Sequence, residues 1–172
     1  GLGSGAAVTV ALTRALSSHL HFLMTDEEIN AFAYEIEKLH HGTPSGIDNT
    51  VITYAKPVYF VKGHPIKIFT PAQPFTIVIG DTGISAPTKE SVGDVRKLWE
   101  ADKEKWEDVF DDVRALVQEA KRAIERGEMK ELGIIMDLNH ALLKKMTVSS
   151  PELDQLVEAA RDQMVRGDLH GT

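Results

Sequence analysis

The sequence predicts an α+β protein, and three observations carry that prediction. Apolar residues recur at three- and four-residue spacing near the start of the chain and again from Thr88 onward, the period of a helix face. Between these stretches lie short β-branched and aromatic runs bounded by Gly and Pro, which read as strands. The chain thus divides into a helix-and-strand first part, residues 1–80, and a helical second part, residues 81–172, with the break near Asp81–Pro87.

Ala7, Val10, Ala11, Ala15 and Leu16 mark the first helix, up to about Leu20. Thr25-Asp26-Glu27-Glu28 then reads as a capping box, hydroxyl and carboxylate each accepting from the other residue's free N–H. The helix it starts carries Ile29, Phe32, Ala33 and Ile36 on one face and runs to His40 or His41, where Gly42 stops it. After a Pro44–Asn49 turn, Val58–Val61 and Ile66–Phe69 flank Gly63-His64-Pro65 and predict a hairpin. Phe75–Ile79 predicts a more buried strand ending at Gly80-Asp81-Thr82-Gly83. One long helix is expected through Val92, Val95, Leu98, Trp99, Trp106 and Val109, and a second through Val113, Leu116, Val117, Ala120 and Ile124, stopping at Gly127. A third spans Met129 to Lys145, and a fourth opens with Ser150 as N-cap and Pro151 at its first position. Arg166–Thr172 reads as a turn-like tail.

With 172 residues, 42% hydrophobic and 26% charged, the chain has a soluble globular composition and enough length to bury a core. A net charge of −7 argues against a nucleic-acid surface, which needs clustered Lys and Arg. A phosphate ligand stays open, because backbone N–H groups, a helix N-terminus or a metal ion supply local positive potential. The absence of cysteine removes disulfides, thiolate chemistry and Cys-based zinc sites. No apolar run approaches the ~20 residues of a membrane span, and no basic leader precedes Gly1, so a reducing cytoplasm is the expected location. There is no internal repeat.

Two segments carry chemistry. Gly1-Leu2-Gly3-Ser4-Gly5 stands immediately before a helix, where successive backbone N–H groups and the helix dipole can hold an anion and side chains would block its approach. It is not a P-loop, since no Gly-Lys-Ser/Thr follows; Gly-rich helix starts without a ligand are also common. Asp48 sits in the turn fixed by Pro44, Ser45 and Gly46, either as an exposed Asp capping its own loop or as a carboxylate held for proton transfer. Glu37, eleven residues earlier, is by spacing a solvated helix glutamate. Thr88 suits a helix N-cap, although Ser91 stands where a capping box wants Glu or Gln. His40 and His41 point to different sides of a helix end and suit the dipole better than a metal. Trp99 and Trp106, seven apart, read as core or interface, and Glu100–Asp112 as a mostly solvated face.

Gly1–Ala7 and His41-Gly42-Thr43-Pro44-Ser45-Gly46-Ile47-Asp48-Asn49 together resemble the mevalonate kinases of the GHMP superfamily. The first segment matches the family's Gly-Leu-Gly-Ser-Ser-Ala-Ala loop in six of seven positions, departing at Gly5, where family members commonly place a magnesium-ligating serine. Met136–His140 and Ser150–Leu156 resemble the two helices before the family's last Gly-rich signature. The resemblance implies a GHMP-kinase-like fold, in part, and ATP-dependent phosphorylation of mevalonate in isoprenoid synthesis. It implies Asp48 as the base, Glu37 and Ser4 as Mg²⁺ ligands, Gly1, Leu2, Gly3, Ser4 and Gly5 as the ATP-phosphate cradle, and Thr88 in the substrate pocket. Phosphomevalonate and homoserine kinases are the rivals within the superfamily; a non-catalytic binding or scaffold module is the rival outside it. The family's Pro-Gly-Lys-Val lysine segment and final Lys-Leu-Thr-Gly-Ala-Gly-Gly-Gly-Gly loop are not in this sequence, which is expected to be about the middle half of a member, a poor kinase by itself and prone to self-association through uncovered sheet edges.

Overall fold

A computed structural model describes residues 3–41, 44–84 and 88–170 of the chain, with side chains placed except at 40, 41, 88, 89 and 164–170. It folds as two packed units, Gly1–Thr70 and Pro71–Thr172.

Three helices build the first unit: α1 (Ser4–His19), α2 (Asp26–His41) and α3 (Ile47–Tyr54). The capping box starts α2, with the Thr25 N–H donating to Glu28 Oε2 at 2.7 Å and the Glu28 N–H to Thr25 Oγ1 at 3.2 Å. Val10 of α1 packs on Ile29 and Ala33 of α2, with Met24 and Ile52 of α3 closing the cluster. The buried face of α1 is Ala6, Val10 and Thr13: of the expected line, Val10 is buried, while Ala7, Ala11, Ala15 and Leu16 are exposed. Large apolar residues of α1 instead remain outside, and Phe32 of α2 is half exposed. Arg14 ties the three helices together, its Nη2 donating to Asp26 Oδ1 and to the Thr53 carbonyl, each at 2.8 Å.

The expected Pro44–Asn49 turn is a helix start. Gly46 takes a left-handed φ of 90° as the N-cap of α3, and Asp48 lies in the first helical turn. A β-carbon on Gly46 would meet Tyr34 at 3.3 Å and Phe60 at 3.4 Å, so glycine is required there twice over. The hairpin forms as expected but is short: β1 (Val58–Tyr59) pairs antiparallel with β2 (Lys67–Ile68), with Val58 opposite Ile68.

The second unit contains α4 (Thr88–Ala101), α5 (Lys103–Arg126), α6 (Met129–Lys145) and α7 (Pro151–His170). Trp106, Val109 and Met146 are its buried centre, with Leu98, Trp99, Leu142 and Val148 packed around them. The long helix expected through Trp106 breaks at Asp102, which becomes the N-cap of α5 and accepts from the Lys105 N–H. The break expected before Val113 is absent, so α5 runs unbroken to Gly127, whose φ of 76° ends it. Trp99 and Trp106 therefore sit on different helices yet share one core. Ser150 caps α7 as expected, accepting from the Leu153 N–H at 3.2 Å, and α7 continues helical through the predicted tail to His170.

Phe75–Ile79 is not a strand. The segment has no regular structure, and Val78 is 90% exposed. Strand structure needs a paired neighbour, and among the described residues the only ladder is β1 with β2.

Candidate functional site

Four of the residues singled out by the sequence, Gly3, Gly5, Glu37 and Asp48, converge on the N-terminal end of α1. Gly3 is its N-cap, at φ 70° and ψ 20°, with no side-chain cap and no acidic residue in the first turn. The helix's own sequence thus sets neither a capping side chain nor an acid on the amide groups of that turn, and the positive end of a sixteen-residue helix dipole stands behind them.

Two carboxylates face this end. A β-carbon on Gly3 would lie 3.4 Å from Asp48 Cβ, 3.5 Å from Asp48 Cγ and 3.2 Å from Ile52 Cδ1. A β-carbon on Gly5 would lie 3.5 Å from Glu37 Oε1. Each glycine is thus the point where α1 backbone passes against one of the two acids: α3 delivers Asp48 and α2 delivers Glu37. Glu37 is buried, 7% exposed, rather than the solvated helix residue its spacing suggested, while Asp48 is exposed. Ser4 is exposed at the same helix start.

The loop that carries Asp48 is held by local bonds. The Ile47 N–H donates to Ser45 Oγ at 3.2 Å, and Lys62 Nζ donates to the Pro44 carbonyl at 3.3 Å. Gly1 and Leu2 lie outside the described residues, as do Gly42 and Thr43. Thr88 opens α4 in the second unit with its side chain outside the described set, and so do the side chains of His40 and His41.

Sequence reasoning missed the groups that hold α3. Asn49, Thr50 and Thr53 are all buried polar residues, and Asn30 of α2 bonds the first two. One signal was available: Asn30 stands in line with Ala33 and Glu37 on α2, a polar residue on a face otherwise turned inward.

The second unit has a separate charged recess of about 380 Å³ lined by His140, Lys144, Asp154, Glu158 and Arg161. Its basic groups are already engaged, Lys144 and His140 with Asp154 at 2.7 and 2.9 Å and Arg161 with Asp137 at 2.8 Å. Among the described residues no three His, Asp or Glu side chains cluster as a metal cage, and no helix is long and apolar enough to cross a membrane.

Residues 1–56 match the family described as the GHMP kinases N terminal domain, a span that holds Gly3, Gly5, Glu37 and Asp48. The mevalonate kinase of Pyrococcus furiosus is 39% identical over 166 residues, covering 94% of this chain and 49% of that protein. The mevalonate kinase of Saccharolobus solfataricus is 32% identical over 169 residues, covering 97% of this chain and 53% of that one. Among solved structures, L. major mevalonate kinase in complex with R-mevalonate superimposes with a TM-score of 0.78 at 32% identity, over 93% of this chain and 50% of that one. The chain spans about half the length of the mevalonate kinases it matches. Residues 1–56 are thus similar to the GHMP kinases N terminal domain, and over nearly its whole length the chain is similar in sequence and in fold to mevalonate kinases.

Proposed function

We propose that the chain carries the phosphate-binding and proton-accepting half of a mevalonate kinase, an enzyme that transfers the γ-phosphoryl group of ATP to the alcohol of mevalonate in isoprenoid synthesis. One observation carries this reading: Gly3, the N-cap of α1, and Gly5, in its first turn, stand against the carboxyl groups of Asp48 and Glu37. The backbone of Gly1–Gly5 would hold ATP phosphates with its N–H groups, glycine keeping the approach open. Asp48, in reach of that cradle, would accept the proton of the attacking hydroxyl. Thr88 would contact the acceptor.

Glu37 and Ser4 would hold Mg²⁺. The donor set suits that ion, which takes one or two carboxylates and completes its shell with phosphate oxygens and water rather than a protein cage. When bound, the ion neutralises charge on the transferring phosphoryl oxygens. The chain's place in the cytoplasm and its assembly as a homo-oligomer belong to the same proposal; light scattering against the 19.0 kDa of one chain tests the second.

The test is phosphate transfer from ATP by the purified protein, with mevalonate, phosphomevalonate and homoserine as acceptors. Asp48→Asn should lower kcat by ~10²–10⁴ while leaving the ATP KM near its original value. Glu37→Gln should raise the Mg²⁺ concentration needed for half-maximal rate. Near-normal turnover by Asp48→Asn, or identical metal dependence in Glu37→Gln, removes the corresponding role.

A further inference from the structure

Asp48 is exposed, but the two residues after it are not: Asn49 is 3% and Thr50 1% exposed. An amide and a hydroxyl so placed are costly unless every hydrogen-bonding group finds a partner. Here the Asn49 amide N–H groups and the Thr50 hydroxyl find theirs. Asn49 Nδ2 donates to Asn30 Oδ1 at 2.6 Å and to the Asn30 carbonyl at 3.3 Å. Asn30 Nδ2 donates to Thr50 Oγ1 at 3.4 Å, and Thr50 Oγ1 gives its single proton to the Gly46 carbonyl at 2.6 Å.

The route of this chain of bonds matters. It ends on the carbonyl of Gly46, the left-handed N-cap whose position is pinned between Tyr34 and Phe60. It begins on Asn49, so Asp48 lies between two anchored backbone points. Its middle member, Asn30, lies two turns before Glu37 on α2, with the fully buried Ala33 between them. One face of α2 therefore presents the candidate metal carboxylate at one end and the anchor of the Asp48 turn at the other.

We infer that Asn30, Asn49 and Thr50 are positioning residues whose relay of hydrogen bonds fixes where the Asp48 carboxylate stands relative to Glu37 and the phosphate cradle. The inference rests on the kinase reading for what Asp48 does. The relay would replace what local propensity fails to supply, since Thr50-Val51-Ile52-Thr53 is a β-branched run with weak preference for the helix it occupies. Misplacing a reacting group by about 1 Å can cost about 10²-fold in rate, so a small relaxation of this turn has a large readout.

Thr50→Val keeps the shape of the side chain and removes both hydroxyl bonds; Thr50→Ser keeps the hydroxyl. Ile29→Val, in the core of the same unit, removes one buried methyl outside the relay and supplies a comparison for general destabilisation, the melting temperature of each variant being measured alongside. Deuterium uptake of the 44–54 peptide and phosphate-transfer kinetics are measured for all three and the unaltered protein. Thr50→Val should raise uptake in that peptide and lower kcat by about 10–10²-fold, with both KM values held within about twofold, and Thr50→Ser should restore each quantity. The inference is overturned if Ile29→Val loses as much kcat as Thr50→Val, or if Thr50→Ser restores nothing. Half of a mevalonate kinase is expected to turn over poorly by itself, so absent turnover leaves the kinase reading standing; a protein that binds no Mg²⁺–ATP disposes of that reading separately. Exchange then decides the relay: faster uptake confined to residues 44–54 and reversed by serine supports it, and uptake unchanged or raised throughout the unit overturns it.

Discussion

Gly5 stands directly against Glu37, close enough that a β-carbon on the glycine would lie 3.5 Å from Oε1 of the buried carboxylate. That distance is ordinary contact, and Gly5 is helical, so a side chain fits. Gly5→Ser should therefore fold, gain up to about 0.5 kcal/mol because serine tolerates a helix better than glycine, and place a hydroxyl beside Glu37. The expected result is tighter Mg²⁺-dependent ATP binding, measured by calorimetry across a Mg²⁺ titration. No change in the metal dependence would mean that Glu37 and Gly5 do not share a cation.

Gly3 presents the opposite case. Its φ of 70° already disfavours a side chain, by about 1–2 kcal/mol, and a β-carbon would press on Ile52 Cδ1 at 3.2 Å and Asp48 Cβ at 3.4 Å. Gly63 has φ 80° and nothing within 4 Å, so Gly63→Ala isolates the backbone cost. Both variants should lose stability in urea denaturation, Gly3→Ala by more. Only Gly3→Ala should also weaken ATP binding and slow turnover. Equal behaviour of the two in ATP binding would detach Gly3 from the site.

How much of this site could be read from the chain depends on where each signal resides. The capping box of α2 is local chemistry between Thr25 and Glu28, and it forms as read. The Gly-rich start and the His41–Asn49 string are local motifs, and their residues Gly3, Gly5 and Asp48 come together with Glu37, which lies in neither and read by spacing as solvated. Helix α3 was illegible because Thr50-Val51-Ile52-Thr53 favours extended structure locally; bonds from Asn30 and Arg14 on other helices hold it. The reverse error occurred at Phe75–Ile79, where strand propensity is strong but no partner strand exists among the described residues. The division between α4 and α5 turned on a single cap, Asp102, inside a continuous apolar period.

In the second unit, acid should act through Asp154. Hydrogen bonds from Lys144 first, then Ser149 and His140, hold its carboxyl at about 2, below the usual carboxylate value. The folded pKa lies below the unfolded value of about 3.9, so the stabilisation is complete above that pH and is lost as pH falls towards about 2. The difference in unfolding free energy between the unaltered protein and Asp154→Asn should shrink steadily from about pH 5 to about pH 2. A difference independent of pH over that window would show that Asp154 ionisation does not contribute.

Arg14 supports the site from the end of the helices remote from the cradle. Its Nη2 meets the Thr53 carbonyl, in the last turn of α3, where no basic residue of that helix lies, and Asp26, in the first turn of α2. A cation is favourable at a helix C-terminus, and a hydrogen bond from a charged group to a carbonyl contributes more than a neutral one. The Asp26 pair is half exposed on both sides, so its share is small and screened by salt. Arg14→Ala should then cost about 1–2 kcal/mol in urea denaturation, with Asp26→Asn costing well under half of that. Raising NaCl to about 1 M should narrow the Asp26→Asn difference and leave most of the Arg14→Ala difference in place. If Asp26→Asn instead matched Arg14→Ala at low salt and both effects vanished at high salt, the contact with Thr53 would carry nothing, and α3 would depend on the Asn30 relay alone.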